Sequence, residues 1–144
     1  MGVKNRILFI CTGNYYRSRF AEAIFNHHAE LRKLPWTAFS RGLAIHLAEG
    51  SLSPLTLQAL EQRKIDLRHT GADRNRLLET DFLQSTRQIA LDRNEHLVMM
   101  HSQFPAWAQR IEYWEVPDIS FQSHLAALPE IERRILHLLE EISK

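Results

Sequence analysis

Ile7-Leu8-Phe9-Ile10-Cys11-Thr12-Gly13-Asn14-Tyr15-Tyr16-Arg17-Ser18 is the stretch on which the reading of this chain turns. Its first four residues, Ile7–Ile10, are an unbroken apolar run and read as a buried strand, as in a parallel sheet. It empties into a loop in which five residues separate Cys11 from Arg17, and an amphipathic pattern follows at once. Such a loop lets successive backbone N–H groups converge on one centre, and the N-terminus of the next helix is itself an anion site. Arg17 can close the ring with a planar fork onto two phosphate oxygens. Cys11 then lies beneath the phosphorus, and the groups that attract phosphate also favour the nucleophilic thiolate. A buried cysteine is more often inert packing. The strand, the turn-tolerant Gly13 and Asn14, the Ser18 hydroxyl and the helix together weigh for chemistry.

Working outward, short apolar runs alternate with helical periods, which predicts an α/β fold. The expected architecture is one domain over residues 1–144, an open parallel sheet of about four strands with helices on both faces. Residues 4–10 form its first, central strand, with the phosphate-binding loop after it. A helix runs from Arg17 to about Lys33 and is stopped by Pro35. Trp36 to Ser40 reads as the second strand, and Ser53-Pro54 opens a helix to Arg63 or Lys64. Thr86–Leu91 and Arg110–Trp114 are further strands, with a helix around 93–102 between them. The last helix carries Ile131, Ile135, Leu138, Leu139 and Ile142 on one face, with Pro129 in its first turn. In such a sheet the site lies outside the carboxyl ends of the strands, where Cys11 falls.

Composition narrows the function. A chain of 144 residues with 44% hydrophobic and 24% charged residues has the make-up of a soluble globule. Eighteen Lys and Arg against 17 Asp and Glu give a net charge of +1, no footing for nucleic acid. No run has the length of a membrane span, and the N-terminal apolar run lacks the features of a signal peptide. The single Cys excludes an internal disulfide and fits a reducing, cytoplasmic setting. The eight His make no metal-ligand spacing, so no metal and no cofactor is expected.

Ile7 to Asn14, Arg17-Ser18 and Ala21-Glu22 resemble the opening of the low-molecular-weight protein tyrosine phosphatases, which share it with thioredoxin-coupled arsenate reductases. The likeness continues at Ser40-Arg41-Gly42, at Asp81, at Ile89-Ala90-Leu91-Asp92 and at Trp114-Glu115-Val116-Pro117-Asp118. The first motif is specific, and the later ones add weight through their order. The arsenate reductases need further cysteines to pass a disulfide along, and this chain has none. What the resemblance implies is a metal-independent phosphatase acting through a cysteinyl-phosphate on a phosphotyrosine protein or a small aryl phosphate. It is expected to act as a cytoplasmic monomer, with no nucleic-acid or membrane partner.

The resemblance also distributes roles. Cys11 is the nucleophile, Arg17 and the amides of Thr12, Gly13, Asn14, Tyr15 and Tyr16 hold the phosphoryl oxygens, and Asn14 and Ser18 brace the loop. Ser40 bonds to the loop Asn from the next strand, although a strand-end Ser needs no such role. Asp118, in a loop after a strand and late in the chain, is the proton donor, with capping or turn formation as its plainer reading. Asp92 is the rival carboxylate and is read as a cap for the following helix. Arg41 stands where the family usually has Ala, and this chain departs further in three places. Asp118 is followed by Ile119 and not Pro, with Ser120 and Phe121 where tyrosines are frequent. Tyr15 and Tyr16 stand where a small apolar residue and a second cysteine are usual. The flanking wall, commonly Trp, falls near His46. The Tyr pair can stack on an aryl group or simply pack between loop and helix. These departures keep open a second reading, a phosphoprotein-binding module on the same fold that has lost turnover.

Overall fold

In the computed structural model, residues 5–118 and 123–144 are described. Among them, nine α-helices and strands follow in the order β1 (Arg6–Cys11), α1 (Arg17–Leu31), β2 (Thr37–Gly42), α2 (Pro54–Gln62), α3 (Glu79–Leu83), β3 (Arg87–Ala90), α4 (Arg93–Gln103), β4 (Glu112–Tyr113) and α5 (His124–Ile142). The four strands form one parallel sheet in the order β2-β1-β3-β4. Crossovers through helices produce this arrangement, since parallel neighbours cannot be joined by a tight turn. β1 is interior, and it feeds the Cys11 loop at the carboxyl edge of the sheet.

Side chains of β1 alternate between two cores. Ile7, Phe9 and Cys11 join α1, α2 and α5, while Leu8 and Ile10 pack with Leu77, Phe82, Met100 and Ala108 on the other face. All four apolar residues of the strand are fully buried. At roughly 1.5–3 kcal/mol for each such side chain, this burial anchors the strand and therefore the start of the loop.

Two helix ends depart from the expected reading. α1 ends at Leu31, before Pro35 is reached, because Lys33 adopts a left-handed φ of 55°. That turn lets Leu34 N–H donate to Ala29 O (2.9 Å) and Lys33 N–H to Glu30 O (3.1 Å), the paired bonds of a Schellman motif. α2 closes the same way around Lys64, at φ 56°, with Ile65 N–H on Leu60 O (2.9 Å) and Lys64 N–H on Glu61 O (3.0 Å). No Gly marks either stop, so the usual signal is missing. Pro129 lies inside α5 and not in its first turn. The helix starts earlier because Ser123 caps it, accepting from Leu125 N–H at 3.1 Å. Among the described residues no helix is long and apolar enough to cross a membrane.

Candidate active site

The loop is built around one buried asparagine. Asn14 has a φ of 50°, a left-handed conformation that Asn tolerates better than most residues. Its Nδ2 donates to Ser18 Oγ (3.0 Å) and Ser40 Oγ (2.9 Å), and its Oδ1 accepts from Asn75 N–H (2.7 Å). The side chain thereby ties the loop to α1, to β2 and to the segment before α3. Ser18 Oγ lies 2.8 Å from Cys11 Sγ, within reach to donate to a thiolate. Ser40 Oγ in turn donates a hydrogen bond to Glu22 Oε1 at 2.6 Å. Gly42 ends β2 where a Cβ would stand 2.8 Å from both Asn14 N and Thr12 O, so only Gly lets β2 approach the loop this closely.

Glu22 and Arg19 were not anticipated. Burial pushes the Glu22 acid above the usual range, against hydrogen bonds from Ser40 and Thr70. Arg19 is nearly inaccessible and spans two loops, with Nε on Thr70 Oγ1 (2.7 Å), Nη1 on Ser51 O (2.6 Å) and Nη2 on Gly71 O. A helical Arg normally reads as solvated, and nothing in its spacing announces burial.

Arg17 is also buried, with Nη1 on Val116 O and Nη2 on Glu95 Oε2, both at 2.9 Å. Burial works against its charge, but Cys11 and Glu95 hold its pKa above the ordinary value. Glu95, in the first turn of α4, also receives Thr12 Oγ1. This carboxylate has no counterpart in the sequence reading. It becomes visible only when β3 delivers α4 beside the end of β1.

A cavity of about 420 Å³ opens over the loop. Cys11, Thr12, Gly13, Tyr15, Tyr16 and Arg17 line it on the loop side; Leu47, Ala48, Glu49 and Ser53 form one wall, and Asp118 stands at another. Asn14, Ser18 and Ser40 lie beneath it as braces. His46 is exposed in the short 3₁₀ turn Ile45–Leu47 and is absent from the cavity lining, so the wall expected near it is made by the next three residues. Asp92 stands at the N-cap position of α4 but makes no capping hydrogen bond; its buried Oδ1 has no partner among the described residues. Its backbone is extended, as is usual at an N-cap, and its N–H donates to His96 Nδ1 (3.0 Å). Tyr15 packs at the edge of the core, while Tyr16 is buried with a hydroxyl that has no partner among the described residues, its pKa pushed up to about 12 by burial. Both phenols are on the cavity wall, and Tyr16 also belongs to the core. Ile119, Ser120 and Phe121 lie outside the described residues.

The family model for low molecular weight phosphotyrosine protein phosphatases matches residues 6–144. The chain belongs to this family. It is 29% identical over 105 residues to the protein-arginine-phosphatase of Bacillus subtilis (strain 168), covering 73% of this chain and 67% of that protein. Among solved structures it resembles the low molecular weight protein tyrosine phosphatase from T. tengcongensis, with a TM-score of 0.79 and 26% identity over 95% of this chain and 99% of that one. YfkJ from Bacillus subtilis superposes with a TM-score of 0.85 over 99% of this chain and 96% of its own, and at 24% identity it speaks for the fold alone. The four-stranded parallel sheet with its loop after the first strand is the fold of this family.

Proposed function

We propose that this phosphatase-family chain hydrolyses phosphotyrosine or other aryl phosphate monoesters without a metal ion. The reading is carried by one juxtaposition: Cys11, Arg17 and Asp118 line a single cavity although Asp118 is far away in sequence. Cys11 Sγ attacks phosphorus in line, forming an S–P bond as the P–O bond to the leaving group breaks. Asp118 gives its proton to the departing phenolate. Arg17 and the loop amides hold the three equatorial oxygens as charge shifts among them. Water then attacks the cysteinyl-phosphate, Asp118 takes its proton, and the S–P bond breaks to return the thiolate beside the Ser18 hydroxyl. The positive field comes from the guanidinium and the backbone, and Tyr15, Tyr16 and Leu47 offer apolar surface to an aryl group.

The similarity to a protein-arginine-phosphatase favours a second substrate, phosphoarginine, in which a P–N bond breaks at the same centre. The deciding experiment is hydrolysis of p-nitrophenyl phosphate with EDTA present, followed by matched phosphotyrosine and phosphoarginine peptides. Turnover of the aryl phosphate that Cys11→Ser abolishes supports the proposal. A clear preference for the phosphoarginine peptide moves it to the second substrate, and binding without turnover of any of the three makes the chain a phosphoprotein-binding module.

A further inference from the structure

Glu95 is a carboxylate placed against the arginine of a site whose business is to attract anions. Its Oε2 takes Arg17 Nη2 at 2.9 Å, Thr12 Oγ1, and the ring of His96, whose Nε2 is 3.3 Å away. The tautomer of His96 follows from its partners. Asp92 N–H donates to Nδ1, so the ring proton sits on Nε2, which faces both Thr12 Oγ1 (3.1 Å) and Glu95. His96 is fully buried, and burial lowers its pKa, so it serves as a neutral donor. Burial alone would raise the Glu95 acid, yet His96, Arg17 and Thr12 together hold it far below the carboxylate range. Glu95 is therefore an anion at every working pH.

Such a charge opposes phosphate binding, so its contribution has to lie elsewhere, and the contacts show where. Arg17 is gripped at Nη1 by the carbonyl of Val116 and at Nη2 by Glu95, two acceptors on different elements. A planar group fixed at two nitrogens cannot swing, and its remaining N–H groups are offered in one orientation. Thr12 follows the nucleophile directly in sequence, so Glu95 joins the two ends of the Cys11–Arg17 loop. Resting on the phosphatase reading, we infer that Glu95 is a positioning residue that fixes Arg17 and Thr12 while offsetting part of the cradle's positive field, so that product phosphate is held weakly and leaves.

The test reads phosphate affinity separately from turnover. Inorganic phosphate is titrated by calorimetry into the wild type, Glu95→Gln and Glu95→Asp, with circular dichroism and thermal melts to establish folding. Glu95→Gln keeps an acceptor and removes the charge, so phosphate should bind roughly tenfold more tightly while kcat on p-nitrophenyl phosphate falls by a similar factor. Glu95→Asp keeps the charge at shorter reach, and its phosphate affinity should stay within about twofold of the wild type while kcat falls. A merely structural Glu95 would lower the melting temperature and leave phosphate affinity the same or weaker; that result in a folded Glu95→Gln overturns the inference. Should Glu95→Gln not fold, Glu95→Thr removes the same charge and is held to the same outcomes. A wild type that binds phosphate with this dependence but hydrolyses nothing ends the phosphatase reading alone. A wild type that hydrolyses aryl phosphate with no tightening in Glu95→Gln ends this inference alone.

Discussion

Replacing Asn14 by alanine removes the part on which the loop is hung. Three hydrogen bonds disappear: those to Ser18 Oγ and Ser40 Oγ and the one accepted from Asn75 N–H. Asn14 is fully buried, so water cannot take their place. Each is worth about 1 kcal/mol net, and a left-handed alanine adds roughly another 1 kcal/mol of strain at this φ of 50°. The expected loss is thus about 4 kcal/mol, a large share of the roughly 5–15 kcal/mol that holds most domains folded. For a chain of this size that is a fall in melting temperature of about 10 °C or more. Asn14→Gly loses the same hydrogen bonds but sits in the same backbone region without strain, and should recover about 1 kcal/mol relative to alanine. Urea denaturation of the three proteins, with phosphate binding measured in parallel, separates the contributions. If Asn14→Ala lies within about 1 kcal/mol of the wild type, or Asn14→Gly is the less stable of the pair, the account of the loop is wrong.

Asp118→Asn should slow hydrolysis of esters with poor leaving groups by about a hundredfold and affect good leaving groups much less; an equal loss for both in steady-state assays would reassign the acid. Lys33→Gly and Lys64→Gly should each add about 0.5–1 kcal/mol of stability, since glycine holds a φ of 55° or 56° without a Cβ penalty; unchanged urea midpoints would contradict the strain assigned to these turns. Glu22 carries a pH dependence. Burial keeps its folded acid above the ordinary value of 4.5, so it contributes most stability below that pH and loses it as pH rises through the folded value. Glu22→Gln keeps an acceptor for Ser40 and Thr70, and its advantage over the wild type should grow with pH across that window; parallel curves in denaturation at several pH values would refute the assignment.

Most of the scaffold could be read along the chain because its signals are local. An unbroken apolar run, a Cys and an Arg with five residues between them and a helical period directly after them are all contained in Ile7 to Phe25. The strand candidates at 36–40, 86–91 and 110–114 all overlap observed strands, with boundaries moved by a few residues. The departures share a cause. Lys33 and Lys64 stop helices without a glycine because two hydrogen bonds, one from the lysine N–H and one from the residue after it, outweigh the strain of one φ. Asp92 stands at the cap position of α4, yet its carboxylate makes no capping hydrogen bond, and no local signal reports that.

What remained hidden depends on distances through space between residues far apart in sequence. Glu95 reaches Arg17 across 78 positions and Thr12 across 83. Arg19 is buried because the loops at Ser51 and Thr70–Gly71 close over it, and Glu22 is buried because Ser40 and Thr70 meet on its carboxylate. Periodicity reports which face of an element is apolar; it carries no information on which polar group the opposing element will present. Cys11 and the loop that follows it are written in consecutive residues, so the sequence alone determined their place after the first strand. The charges surrounding that loop come from separate elements and segments, and only the packing of those pieces decided where each would stand.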